Sequence, residues 1–246
     1  MAEGESAGGG MSELGTILGV WAHPDDETYL MAGLAANAVR EGDRVVIVTA
    51  TRGEGGSMDE EQWPSAKMGQ VREQELLRSL AVLGVTEHHW LDCLDVDMDT
   101  PLDASGYAKV RALMAEIQPD TVLTFGPDGM TGHVGHMSVS EWATRAFDEV
   151  AKSGAKLYFA TTTPEWAAEW VPIYNRFDVF RPGTPPVTPR SELGIDFLLS
   201  ADVLELKLKA IEEHVSQVAF MLDAFGEDYF RRAMDGEQFR LAATKA

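Results

Sequence analysis

The segment WAHPDDETYL, residues 21–30, sets one histidine and three acids within five positions: His23, Asp25, Asp26 and Glu27. A second polar cluster, GMTGHVGH at 129–136, adds His133 and His136. Two imidazoles and one carboxylate with an open coordination position are the ligand set of a hydrolytic zinc site. Bound zinc brings the pKa of water to about 7. With two adjacent acids, one can bind the metal while its neighbour takes the proton from that water. Each feature alone has a plainer reading. His23 can be a turn histidine, Asp25 or Asp26 a helix N-cap, and two histidines three apart can simply share a helix face. It is the coincidence of the two clusters that favours a metal site.

The elements around them explain how they can meet. Apolar runs at 16–22, 44–50, 121–125 and 157–161 read as strands, with a shorter one near 88–91. Helical spacing marks 28–41, which Gly42 ends, and 68–83, 107–117 and about 136–152. Strand–helix alternation implies a parallel sheet covered on both faces. Both polar clusters follow a strand directly, and ligands bind beyond the carboxyl ends of such strands. Prolines exclude a helix or central strand at 180–190, which reads as a loop or arm. A further strand is expected at 195–199. A final helix capped by Asp202 should carry Val203, Leu206, Ala210, Val215, Val218 and Leu222 near one face.

Composition narrows the partners. The chain has 246 residues with 45% apolar content, enough for one large domain with a sizeable core. The formal charge of -20 disfavours nucleic acid and anionic membranes. No apolar stretch is long enough to span a bilayer. One cysteine, Cys93, permits no intrachain disulfide and reads as a small buried residue. Residues 1–12 lack the pattern of a secretory signal and read as a disordered tail before a domain at 13–246. A cytoplasmic protein is the expectation, with homo-oligomerisation left open.

These motifs are similar to those of the LmbE-like, or PIG-L, family of metal-dependent de-N-acetylases. AHPDDE at 22–27 matches the family's first motif in full. GPDGMTGHVGHMS at 126–138 stands where the family has an H-P-D-H core. TRGEGG at 51–56, VREQEL at 71–76 and EHVSQ at 213–217 look like its further segments. The resemblance implies a single Rossmann-like α/β domain with a mainly parallel sheet between helices. It implies removal of an acetyl group from an N-acetylglucosamine-containing conjugate. His23, Asp26 and His136 would bind zinc, other divalent metals remaining open, and Asp25 would be the base. His133 would stabilise the oxyanion or protonate the amine. Arg72, Glu54 and Asp95 would contact the sugar or its aglycone. Alternatives are an amidase acting on a larger N-acyl group, a non-haem iron oxygenase with the same ligands, and a non-catalytic sugar-binding protein.

The chain departs from the family pattern at Gly135, where an aspartate is usual. That aspartate would hold the orientation and charge of His133, so its absence should lower the imidazole's pKa unless another acid, such as Asp128, takes over. Glu27 is expected either to accept from a ligand histidine or to favour the helix N-terminus. Without the resemblance, Arg72 beside Glu73 and Glu75 would read as a surface ion pair. His214 reads as a partly buried structural residue, and His88 and His89 as non-catalytic. The loops at 53–66 and 181–190 could form pocket walls.

Overall fold

The described residues form one sheet of seven strands. The computed structural model describes residues 14–246, so the expected tail at 1–12 lies outside the described residues. Five strands are parallel: β1 (Ile17–Trp21), β2 (Val45–Thr51), β3 (Glu87–Cys93), β4 (Thr121–Thr124) and β5 (Lys156–Thr161). β6 (Ile195–Leu198) pairs with β7 (Gly236–Thr244), and β7 runs antiparallel to both β5 and β6. β1 and β2 are buried along their whole length, as strands covered on both faces must be.

The chain reverses its direction of sheet growth at β1. β2 and β3 are added on one side, β4 and β5 on the other. β1 pairs directly with β4, Ile17 opposite Thr121 and Gly19 opposite Leu123. The two expected clusters therefore leave adjacent strands at the switch point of the sheet, where the crevice of such folds lies.

Helices α1 (Asp26–Glu41) and α2 (Ser65–Leu83) pack with α7 (Ala201–Glu212), while α3 (Ser105–Ile117) packs on α5 (Val134–Val150). Gly42 ends α1 in the left-handed conformation at φ 90°, its N–H reaching the Ala38 and Val39 carbonyls. A short turn, α4 (Gly129–Gly132), precedes α5. Below the crevice Trp21 meets Phe125 edge to face at 5.0 Å in the main core.

The region after β5 departs from expectation. α6 (Pro164–Tyr174) follows Thr163, whose hydroxyl accepts from the Trp166 amide. The single helix expected from 202 is two, α7 and α8 (Val215–Phe225), then α9 (Glu227–Ala233). The break falls at His214, which turns inward to bury its ring while Val215 is left exposed. Asp202 does not cap α7. Ser200 holds the N-cap position, and Asp202 sits in the first turn paired with Arg40 at 2.7 Å. α6 to α9 enclose a second apolar cluster around Trp170, Leu208, Ile211 and Phe230. Among the described residues no helix is long and apolar enough to cross a membrane.

Candidate active site

The turn after β1 is closed by its own acid. Asp26 Oδ2 accepts from the His23 amide at 2.8 Å and the Ala22 amide at 3.2 Å. This leaves Oδ1 facing His136 Nε2 at 3.4 Å. His136 stands in the first turn of α5, where its Nδ1 donates to the Gly129 carbonyl at 2.8 Å. That bond fixes the tautomer and aims the Nε2 lone pair at the crevice. The ring stacks on Phe125 at 4.1 Å and 8°, so the Trp21–Phe125 pair of the core also sets its orientation.

His23 Nδ1 lies 3.0 Å from His136 Nε2 and 3.6 Å from Asp26 Oδ2. Donors about 2.0–2.2 Å from a tetrahedral zinc stand about 3.3–3.6 Å from each other. The three groups thus converge as a ligand set does. On its far side His23 Nε2 faces Asp95 Oδ1 at 3.6 Å, and neither buried atom has another partner among the described residues. A carboxylate behind a ligand histidine suits metal binding. Nitrogens of His23, His133 and His136 also fall within 4.8 Å of one another, a looser grouping than the set with Asp26.

Charge in the site follows from burial and these contacts. Burial disfavours a proton on His23, but Asp26 and Asp95 outweigh it and raise the group to about 9. Carboxylates that retain a proton there also suit a cation in its place. Burial lowers His136 to about 4 despite Asp26. Burial opposes the charge on Asp26, yet His136 and His23 hold it well below the usual carboxylate range.

Asp25 adopts φ 121°, a strained value for a residue with a side chain, next to the ligand set. It occupies the N-cap position of α1 without a side-chain cap bond; its Oδ2 instead accepts from Arg72 Nη2 at 3.1 Å. Burial pushes its carboxyl up to about 6 against the pull of Arg72, with Asp26 adding to the rise. Arg72 is no surface ion pair. It is buried and also donates to the Pro24 carbonyl at 2.7 Å and the Gly53 carbonyl at 3.3 Å. Gly53, at φ 67°, allows this approach, since a Cβ there would stand 2.2 Å from Arg72 Nη1.

Glu27 does not meet a candidate ligand histidine. Its carboxylate accepts from the Asp25 amide at 3.2 Å and from Thr28 Oγ1 at 2.6 Å. Thr28 Oγ1 in turn lies 3.0 Å from Ser79 Oγ and 3.1 Å from His214 Nε2. His214 is therefore a buried brace beneath α1. Glu75 joins the brace through the Ser216 amide and hydroxyl, both at 2.7 Å.

His133 precedes α5, and its Nδ1 accepts from the Gly135 amide at 3.0 Å. The ring proton must then reside on Nε2. Among the described residues no carboxylate bonds to His133 in place of the missing aspartate: Asp128 caps α4 by accepting from the Met130 amide. Burial, with His23 and His136, lowers His133 to about 3.

These groups open into a cavity of about 580 Å³. Asp95 and Arg72 line it; Glu54 does not, its carboxylate accepting from the Asp95 amide at 3.3 Å. Of the 53–66 loop, Gly55, Gly56 and Met58 contribute. The 181–190 arm contributes nothing to the lining, where Val179 and Phe180 stand instead. The motifs gave no sign of Tyr29, Trp166, Tyr174, Met221 and Met234. They come from separate segments, and only the apolar spacing of their own elements marks them.

Fold and site together define an α/β protein with two histidines and an aspartate brought together at the switch point of its sheet. The chain belongs to the PIG-L: GlcNAc-PI de-N-acetylase family, which it matches over residues 18–147. It is 29% identical over 241 residues to a 1D-myo-inositol 2-acetamido-2-deoxy-alpha-D-glucopyranoside deacetylase of Mycobacterium sp. (strain JLS), covering 85% of this chain and 76% of that one. Its fold is similar to that of N,N'-diacetylchitobiose deacetylase from Pyrococcus horikoshii, with TM-score 0.70 and 20% identity over 94% of this chain and 85% of that. The same fold serves GalB, the 4-carboxy-2-hydroxymuconate hydratase from Pseudomonas putida KT2440, with TM-score 0.57 and 17% identity over 95% and 98% of the two chains. Fold alone therefore does not set the activity.

Proposed function

We propose that this protein hydrolyses the acetamide of an N-acetylglucosamine-containing conjugate, with His23, Asp26 and His136 holding zinc. One observation carries the reading: three donors from two adjacent strand ends converge at 3.0–3.6 Å, with a further carboxylate, Asp25, held beside them by Arg72. The deacetylase relatives support the acetamide as the bond attacked.

Zinc bound there supplies a Lewis acid for the amide carbonyl and a water of lowered pKa. Asp25, held beside these residues by Arg72, is placed to take a proton from a water in the crevice. Arg72 holds the carboxylate in place and the strained turn aims it. His133, protonated on Nε2 because Gly135 occupies Nδ1, donates to the oxygen that gains charge. A preorganised donor of this kind lowers the barrier by about 3–4 kcal/mol. Asp25 then carries a proton that it can return to the departing amine, which leaves only when protonated.

The test is primary-amine release by zinc-loaded protein from a panel of N-acetylglucosaminides. Release from at least one supports the reading, whereas metal binding with no release from any overturns it in favour of a binding role. His136→Ala should weaken zinc affinity by at least about 100-fold, measured by equilibrium dialysis with metal analysis. Unchanged affinity would remove His136 from the ligand set.

Gly135→Asp places a carboxylate against His133, its Cβ 3.2 Å from Nδ1. The contact is tight, and the ring must shift by a few tenths of an ångström. A carboxylate there would steady the imidazole and support positive charge on it as the oxyanion forms. The expected result is a rise in kcat of roughly tenfold with little change in KM. No rise would mean that the Gly135 amide already orients His133 sufficiently.

A further inference from the structure

The cavity lining is of two unlike kinds. Around the candidate metal ligands it is rich in charge. The apolar part of its wall is the rim of the second apolar cluster, with Trp166, Tyr174 and Phe180 forming an aromatic corner. Trp166 stacks on Tyr174 at 5.8 Å and 25°, and Phe180 meets Tyr174 edge to face at 5.8 Å and 70°. The indole N–H of Trp166 is spent on the Ala233 carbonyl at 2.9 Å, so this ring offers the cavity no donor. Met221 and Met234 extend the same surface. Thioethers adapt their shape to a ring and favour contact with it.

Two tyrosine hydroxyls interrupt this wall, those of Tyr29 and Tyr174. The Tyr29 hydroxyl is buried and has no hydrogen-bond partner among the described residues. Burial, and then the charge of Asp25, keep its proton in place. It is a donor in need of an acceptor, on a side chain lining the cavity.

Such a wall does not suit a polyol. Each hydroxyl of a cyclitol moved from water onto aromatic and thioether surface loses hydrogen bonds that only the polar part of the lining, with Thr161, Thr162, Gln217 and Gln238, can replace. The acetyl group itself is small, so the remaining volume must serve the other end of the conjugate. This step rests on the function proposed above.

We propose that the wall of Tyr29, Trp166, Tyr174, Phe180, Met221 and Met234 binds an apolar, ring-bearing aglycone of the amino sugar, with the Tyr29 hydroxyl donating to an oxygen of that conjugate. The substrate class is then an N-acetylated amino sugar joined to an aromatic or alicyclic apolar group.

The test compares four probes on zinc-loaded protein: the methyl, benzyl and inositol glycosides of N-acetylglucosamine, and methyl N-octanoylglucosaminide. The benzyl glycoside should show a KM about tenfold below the methyl one, with kcat within about threefold, as expected for binding that is uniform between ground and transition states. Equal KM values, preference for inositol or preference for the octanoyl amide would each overturn the proposal. Met234→Gln and, independently, Phe180→Ala should bring the benzyl-to-methyl ratio of kcat/KM toward one. An equal loss on both glycosides would assign these residues to structure alone and overturn the proposal.

Calorimetry of Asp25→Asn protein separates the two readings. Tighter binding of benzyl than methyl glycoside, with no amine release by the wild type from any probe, would sink the proposed reaction and keep the aglycone site. Equal binding would sink the aglycone site even where amine is released.

Discussion

Asp25→Asn protein is expected to bind zinc and fold as the wild type does, while releasing amine about 10²–10⁴-fold more slowly. The change is isosteric; it removes the ability to take a proton and the charge facing Arg72, which keeps the Pro24 and Gly53 carbonyls as acceptors. Asparagine is among the residues that best tolerate positive φ, so the strained turn at φ 121° should persist. Arg72 can still donate to the amide oxygen where it now meets Oδ2 at 3.1 Å. The loss should fall on kcat, with KM nearly unchanged, because the proton transfer belongs to the transition state. Wild-type turnover by this variant would move the base elsewhere, with Asp95 beside His23 the next acid to test.

Glu237→Gln should cost about 3–5 kcal/mol of stability, the loss typical of breaking one partner of a buried ion pair. Lys207 Nζ and Glu237 Oε1 meet at 2.9 Å with both side chains shielded from solvent. Glu237 also accepts from the Gly33 and Leu34 amides of α1, each at 2.8 Å. Glutamine would leave an ammonium without its counter-charge and turn an N–H₂ toward a donor. Urea unfolding at constant m-value is the measurement. A loss below about 1 kcal/mol would show that water or a rearranged neighbour takes up the charge. Gly236 and Gln238 flank this residue and line the cavity, so a surviving variant should also bind substrate less well.

The sequence was most readable where chemistry and punctuation coincide. The AHPDDE turn announced itself because few structural needs call for three acids after a buried strand, and Gly42 marked the end of α1. Parallel-sheet logic put both clusters at the carboxyl ends of strands, and the structure adds that β1 lies directly beside β4. Beyond β5 that logic stopped. Val215 continues the apolar spacing of α7, but His214 is pulled inward by Thr28, which lies 186 positions away in the chain. β7 contains Glu237 and Arg240, and nothing local reveals that Lys207 will neutralise the first. Without the resemblance Arg72 reads as one of several surface charges, because its partners, Asp25 and the Pro24 and Gly53 carbonyls, lie 19 to 48 positions away in the chain. Gly135 did signal correctly that His133 lacks a carboxylate, though the amide that replaces it could not be foreseen.

The position of β7 inside the sheet bears on how the molecule is assembled during synthesis. β6 has a sheet neighbour on one side only, and that neighbour is β7, which lies about forty residues further along the chain. A nascent chain that has emerged as far as residue 198 can form the five parallel strands, yet its β6 has nothing to pair with. Until residues 236–244 dock on β5, the segment carrying β6 and α7 is exposed to chaperones and proteases, with Lys207 lacking its counter-ion.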